Sequence, residues 1–144
     1  MQYTNEECVE FLQRIIAANK NRIEHYTYMS QYLDTDRDTD LLLLFEKYIQ
    51  QSQQFKAQLT PMIYREGDTE QTGDHKILNA STNTLSQPSR SNIVEACKQL
   101  EIEVKQVYND IHLFNAIMED QIKELIISQS ELLKSNSDDT TSSV

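Results

Sequence analysis

Apolar residues recur every three or four positions along most of the chain, which is the spacing of one face of an α-helix. The first stripe predicts a helix A that begins at TNEE, where Thr4 and Glu7 have the spacing of a capping box, and runs to about Leu33. The run DTDRDTD that follows is rich in turn and capping residues, so it predicts a turn. The inward residues of helix A are expected to be Cys8, Leu12, Ile15, Ile16, Ile23, Tyr26, Met29 and Leu33.

A second stripe predicts a helix B over Thr39 to Arg65, with Pro61 inside it. Because proline removes a backbone donor and clashes one turn back, we expect a kink there or an early end near Leu59. The segment 66–90 is polar, holds both glycines and the other proline, and has little periodicity, so it is predicted to be a long crossover loop. The inward residues of helix B are expected to be Leu41, Leu44, Phe45, Tyr48, Phe55, Leu59, Met62 and Ile63.

Ser91 or Asn92 can cap a helix C, and a helix D follows it after the segment NDIHLFNAIME. That segment has no glycine or proline, so two alternatives stay open. A turn near residues 112–116 gives four helices, whereas one unbroken helix over 91–135 would be about 67 Å long and would need a partner chain to cover it. The inward residues are expected to be Ile93, Ala96, Cys97, Leu100, Val104, Val107, Tyr108 and Ile111 on helix C, and Met118, Ile122, Leu125, Gln129, Leu132 and Leu133 on helix D.

The length and the composition agree with one all-α domain over residues 1–135. A chain of 144 residues can bury a single core, and two glycines and two prolines leave few of the turns that a sandwich or barrel needs. The tail SNSDDTTSSV has too little apolar surface to offset its ordering entropy, so residues 136–144 are predicted to be disordered.

The formal net charge of −10 would repel phosphate backbones, and the basic residues are scattered, so no nucleic-acid partner is expected. The first residues, MQYTNEEC, do not resemble a secretion signal, and no apolar run approaches membrane-spanning length. These features predict a cytoplasmic protein that does not bind membranes. Cys8 and Cys97 are far apart, lack metal-type spacing and fall on apolar faces, so both are expected to be small buried hydrophobes.

The adjacent acid and histidine at Glu24 and His25 raise the question of a metal site. Four-helix bundles build di-metal sites from inward glutamates and Glu-x-x-His pairs. The residues three positions before His25, His75 and His112 are Arg22, Thr72 and Asn109, so this motif is absent from the sequence.

Helix geometry gives a second test of the candidate ligands, because each residue advances about 100° around the axis. From the centre of its own stripe, Glu24 points roughly 145° away, His25 roughly 115° and Glu46 roughly 130°. Glu101 lies at a flank, about 80° off, and is the one acid among these that could lean inward. We therefore predict no metal, cofactor or catalytic residues.

The stripes place three uncharged polar residues near the centre, Asn19, Ser52 and Gln129, with Ile23 and Leu100 as apolar neighbours. Amides and a hydroxyl are poor ligands for iron, manganese or zinc but can bond to one another or to a buried water. We expect a small polar layer that fixes the register of the helices. His75 in the crossover and His112 at the C to D turn are expected to be exposed side chains or helix ends.

Four segments together resemble a bacterial family of uncharacterised, ferritin-like four-helix-bundle proteins that carries a domain-of-unknown-function label. They are YTN at residues 3–5, IIAANKNRIEHY at 15–26, LFEKYIQQSQQFKAQL at 44–59 and IVEACKQLEIEVKQVY at 93–108. The likeness covers most of residues 3–133. It implies a ferritin-like bundle in which an A–B hairpin and a C–D hairpin are joined by a crossover, and it supplies no established activity.

This sequence also departs from that family. The segment between helices B and C is shorter and lacks a helix-forming stretch, and the C to D turn is trimmed. Family members tend to have a histidine late in helix D, where this chain has Gln129, and often an acid on helix A, where it has Ile23. Both differences weaken a metal role inherited from that family.

Two functions of different classes remain, beside a third that composition alone permits, an acidic stress protein that acts by bulk solvation. The first is a non-enzymatic bundle that acts through association, as a homo-oligomer or with a protein partner. The alternative is a degenerate ferritin-like di-metal protein that uses Glu101 together with acids brought in by a different helix geometry.

Overall fold

The computed structural model describes residues 5–65, 89–114 and 118–142, and these residues fold into four α-helices without a strand. The all-helical prediction is confirmed for these ranges. In chain order the helices are α1 (Asn5–Ser30), α2 (Thr39–Arg65), α3 (Arg90–Asn109) and α4 (Asp120–Ser142), with a 3₁₀ turn at Asp110–Phe114 between α3 and α4. Within the described ranges, no helix has the length and apolarity that a membrane span requires.

The α1–α2 connection is the predicted acidic turn, although α1 ends earlier than Leu33. The amides of residues 31–33 donate to carbonyls three residues back, at 3.1 to 3.3 Å, so the helix tightens before it stops. In the turn, Asp34 Oδ1 accepts from the amides of Asp36 and Arg37 at 2.7 and 3.2 Å. The Asp34 carboxylate therefore satisfies backbone amides of the turn itself.

Helix α2 passes through Pro61 and continues to Arg65, so the early end near Leu59 is wrong. The proline removes one backbone donor. Leu59 and Ile63, on either side of it, are both fully buried. Packing of these side chains against the core keeps the last turn helical, because tertiary contacts outweigh local propensity.

Helix α3 begins slightly before the predicted caps Ser91 and Asn92. Ser89 is its N-cap, with a side chain that accepts from the Asn92 amide at 3.2 Å. Arg90 pairs with Asp38 and Asp40 at 2.8 Å each, which places the start of α3 beside the start of α2.

Helices α3 and α4 are separate, so the four-helix alternative is confirmed and the unbroken helix over 91–135 is wrong. The chain leaves the α-helix at Asp110 and forms the 3₁₀ turn. Phe114 and Met118 are both buried, and the Met118 amide donates to the Phe114 carbonyl at 3.0 Å. Burial of Phe114 and Met118 therefore stabilises the connection between α3 and α4, although its sequence contains no glycine or proline.

Helix α1 packs against α2 and α3, and α4 packs against the same two helices. Arg14, early in α1, pairs with Asp110 just after α3, whereas Tyr26, late in α1, contacts Cys97 early in α3. Tyr26 also packs against Phe45, near the start of α2. Helix α1 is therefore antiparallel to both α2 and α3, and these two diagonal helices are parallel to each other.

Because α2 and α3 are parallel, Arg65 at the end of α2 and Ser89 at the start of α3 lie at opposite ends of the bundle. The predicted crossover loop, 66–90, lies outside the described residues except for Ser89 and Arg90. Its internal structure therefore remains a prediction.

Four predicted core positions and the predicted tail differ in the structure. Met62 and Leu125 pack against the core but are only partly buried. Ile23 is only half-buried and Leu132 is 49% exposed, because the inward stripes pass through Arg22 on α1 and through Ile126 and Leu133 on α4. Residues 136–142, expected to be disordered, continue helix α4. Asn136 anchors that extension, since its carbonyl accepts from Tyr48 Oη at 3.2 Å and its side chain donates to Gln51 at 2.8 Å.

Candidate functional site

The centre of the bundle holds a buried ion pair between Arg22 of α1 and Glu101 of α3. Arg22 Nε donates to Glu101 Oε2, and Arg22 Nη2 donates to Glu101 Oε1, each at 2.9 Å. The side chains are 0% and 5% exposed. Two parallel hydrogen bonds from one guanidinium to one carboxylate form the strong, geometrically specific arrangement of this pair.

Helix α2 supplies the acceptors for the remaining edge of Arg22. Its Nη1 donates to Gln51 Oε1 at 2.9 Å, to Ser52 Oγ at 3.0 Å and to the Tyr48 carbonyl at 3.4 Å. The guanidinium carbon lies 4.7 Å from the centroid of the Tyr48 ring, within the range of a cation–π interaction. Three helices therefore surround one positive charge.

Tyr26 and Cys97 complete the surroundings of Glu101. Tyr26 Oη donates to Glu101 Oε2 at 2.5 Å and lies 3.4 Å from Cys97 Sγ. Burial, with the nearby Glu101 charge, raises the pKa of Tyr26 well above its ordinary value. Burial likewise raises the pKa of the Cys97 thiol to about 12. Neither group ionises near neutral pH, so Cys97 lacks the thiolate that a nucleophile requires.

The charge of Arg22 is held by its partners. Burial by itself would lower the pKa of the guanidinium, but the Glu101 carboxylate, Tyr26 and Tyr48 outweigh it and raise that pKa. Arg22 therefore stays charged inside the core, where a buried charge must be paired and hydrogen-bonded to be tolerated.

A second, uncharged chain of hydrogen bonds crosses the bundle beside the ion pair. Asn19 Nδ2 donates to Tyr108 Oη at 2.9 Å, and Tyr108 Oη donates to Gln129 Oε1 at 2.6 Å. Gln129 Nε2 donates in turn to Gln58 Oε1 at 3.0 Å. The donors run in one direction from α1 through α3 and α4 to α2, so this chain links all four helices.

The prediction that three polar residues are buried at the centre is confirmed. The prediction that they form one layer of uncharged groups is wrong. Asn19, Ser52 and Gln129 are all buried. They do not form one uncharged layer, because Ser52 bonds to Arg22 whereas Asn19 and Gln129 meet through Tyr108. The expectation that only neutral polar groups lie inward is overturned by Arg22 and Glu101.

The structure places most of the other candidates as predicted. Glu24 and Glu46 are exposed, and so is His112, whereas His75 lies outside the described residues. His25 is half-buried, and this burial lowers its pKa, against the opposing effect of the Glu103 and Glu24 charges. Cys8 and Cys97 are both buried and are not joined in a disulfide, and Leu100 is fully buried, as expected.

Arg22 was missed although the sequence contains its signal. Asn19, Arg22 and Tyr26 follow one another at spacings of three and four, so Arg22 continues the apolar stripe. Because Ile23 is apolar, it was expected to face inward, whereas the buried stripe passes through its neighbour Arg22. A charge at the centre of a stripe demands a buried partner, and Glu101 at the flank of helix C was the acid that could reach inward.

The ion pair leaves little capacity for further ligands at the centre. Both Glu101 oxygens already accept hydrogen bonds, one from Arg22 and the other from Arg22 and Tyr26. The described ranges contain no group of three or more histidine, cysteine, aspartate or glutamate side chains placed to hold a metal ion. The arrangement binds helices to one another through charge and hydrogen bonds.

The fold and the central contacts together define an all-helical bundle whose core contains a buried ion pair. Compared with known proteins, the chain matches no family model, no curated protein and no solved structure.

Proposed function

We propose that this chain is a non-enzymatic helical bundle that works by associating with protein chains, either a second copy of itself or a different partner. The observation that carries the proposal is the closed centre. Five acceptor atoms surround the Arg22 guanidinium, and both Glu101 oxygens are taken by neighbouring side chains. Since the central polar groups bind one another, interaction with other molecules falls to the outer surface.

The outer surface has apolar side chains that an interface could bury. Among the residues that the structure describes, six large ones are exposed, and burying an aliphatic side chain is worth about 1.5–3 kcal/mol. They are Tyr32, Leu43, Ile102, Leu113, Ile127 and Leu132.

The proposal includes the relation to the ferritin-like bacterial family. Support comes from the parallel, diagonal placement of α2 and α3, since one long crossover connection is typical of ferritin-like bundles. In this interpretation the Arg22 guanidinium supplies the positive charge that a metal ion supplies in the di-metal members of that class. Cys8 and Cys97 are not joined in a disulfide, which supports a cytoplasmic location, where thiols stay reduced.

The alternative function, a degenerate di-metal protein, is favoured by one feature, the inward Glu101 carboxylate. It would require that Glu101 leave Arg22 and that further acids approach it. Elemental analysis after purification with added iron or manganese separates the two functions. Stoichiometric metal that disappears in Glu101→Gln would favour the alternative.

Site-specific photo-cross-linking in cells tests association directly. A photoreactive residue is placed, one position at a time, at Leu43, Ile102, Ile127 and Leu132, all of which are exposed. We expect discrete adducts from a subset of these positions, with a second copy or with another protein. A chain that gives no adduct at any position and stays monomeric in solution would refute the proposal.

A further inference from the structure

One side of helix α2 presents a stripe of uncharged side chains, mostly glutamine, to solvent. Gln50, Gln54, Gln58 and Pro61 are all exposed and are spaced by four, four and three residues, so they share one side of the helix. At the N-terminal end of this stripe, Glu46 accepts from Gln50 at 3.3 Å.

Helix α4 has a matching uncharged stripe, with a spacing of four, three, four and three residues. Leu132 is 49% exposed within it. Leu125 is half-buried, and the other members are exposed. The stripe consists of Gln121, Leu125, Ser128, Leu132 and Ser135.

The two stripes adjoin along the seam between α2 and α4. Gln58 of α2 bonds to Gln129 of α4 at 3.0 Å, and Gln51 bonds to Asn136 at 2.8 Å. Leu132 lies between the two α4 contact residues, as Gln54 lies between the two α2 contact residues. Leu132 therefore borders α2 near Gln54, and the stripes form one continuous surface, which we call the neutral face.

The neutral face contrasts with the rest of a chain whose formal net charge is −10. Immediately outside it on α4 are the exposed acids Glu124 and Glu131. Elsewhere, exposed acids such as Glu24 on α1 and Glu95 on α3 occupy the outer sides of the helices. Two copies that approached through those surfaces would bring like charges together.

We propose that the neutral face binds the neutral face of a second copy of this chain across a two-fold axis. A two-fold contact places the same surface on both sides, so the surface must be complementary to itself. Glutamine side chains meet this condition, since each amide both donates and accepts hydrogen bonds. Leu132 supplies apolar surface for burial, and the acids stay at the rim, where solvent and salt screen them.

This inference rests on the proposed function and names the partner and the surface. The test is the mass of the full chain, measured by sedimentation over a wide range of protein concentration, with Leu132→Glu compared with Ile102→Glu. Ile102 is a matched control, because it is an aliphatic residue in a helix with 47% exposure and lies outside the neutral face. Circular dichroism verifies that each variant is folded, and Gln54→Glu replaces Leu132→Glu if that variant unfolds.

We expect the wild-type mass to rise to twice that of one chain with increasing concentration. Leu132→Glu should weaken the dimer at least about tenfold, whereas Ile102→Glu should leave it unchanged. Raising NaCl from about 50 to about 500 mM should maintain or strengthen the dimer, since salt screens the repulsion between the acidic chains.

A dimer weakened by Ile102→Glu and untouched by Leu132→Glu would place the interface elsewhere, which overturns the inference but leaves association intact. Equal weakening by both substitutions, or dissociation by salt, would also overturn it. A wild-type chain that stays monomeric at every concentration rejects the second copy as partner, and the proposed function then depends on cross-links to a different protein.

Discussion

Glu101 and Arg22, 79 residues apart in the sequence, meet in two 2.9 Å hydrogen bonds with both side chains out of water. The pair joins α1, in the first hairpin, to α3, in the second. Ser52 and Gln51 attach α2 to the same guanidinium. The relative position of the hairpins therefore depends on one charged contact as well as on apolar packing.

Breaking the ion pair from one side should destabilise the bundle strongly. We expect Arg22→Leu or Glu101→Leu to lower the free energy of unfolding by about 3–5 kcal/mol, because each leaves a buried charge without its partner. The double variant should lose much less than the sum of the two, since neither charge remains. Urea unfolding of all four proteins measures this coupling, and additive losses would contradict the pairing.

The Tyr26 hydroxyl should contribute through its bond to Glu101. We expect Tyr26→Phe to cost about 1–3 kcal/mol, because it removes a donor from a buried carboxylate. Tyr32→Phe is the control, since Tyr32 is 45% exposed and its hydroxyl donates only to Tyr28, so its cost should stay within about 0.5 kcal/mol. Equal losses in the two variants, measured by urea unfolding, would contradict the buried contact.

Stability should fall in alkaline solution. The folded state raises the pKa of Cys97 from 9.0 to about 12, so the stabilisation from its protonated thiol is complete below pH 9. As pH rises through this window, the unfolded chain loses the proton first, and up to about 4 kcal/mol is lost by pH 12. Burial also raises the pKa of Tyr26 and Tyr108, which acts in the same direction.

Urea titrations at several alkaline pH values measure this loss. Cys97→Ala is the control, because it should show a shallower decline above pH 9. A thiol reagent at pH 8 should label Cys97 only after unfolding, and rapid labelling of the folded chain would show that the thiol is not buried as described.

The direction of the uncharged hydrogen-bond chain predicts unequal losses at its two ends. Asn19 Oδ1 is buried and has no hydrogen-bond partner among the described residues, so Asn19→Ala also removes an unsatisfied acceptor. Gln129→Ala instead leaves the Tyr108 hydroxyl without its acceptor. We expect Gln129→Ala to be the more destabilising by about 1 kcal/mol in urea unfolding, and the reverse order would mean that the donors run the other way.

Local signals in the sequence were sufficient for the helices and for most of the interior. The acidic run before α2 forms the predicted turn, and Asn19, Ser52 and Gln129 lie inward as the helical spacing required. The predictions that Leu132 and Ile23 are buried were wrong, because each residue lies beside a buried stripe and a shift of one residue turns a side chain by about 100°. The prediction that the end of α4 is disordered was wrong, because composition does not reveal the contacts of Asn136 with Tyr48 and Gln51.

By itself, the sequence determined that this chain forms amphipathic helices, that acids avoid most of the inward stripes, and that both cysteines are buried. Those properties depend on spacing along one helix. Only the tertiary structure decided that Arg22 turns inward to meet Glu101, that Tyr108 joins Asn19 to Gln129, and that two uncharged stripes meet along one seam. The physical reason is that each of these relationships depends on which helices are neighbours and at what height they pack, and helical periodicity specifies neither.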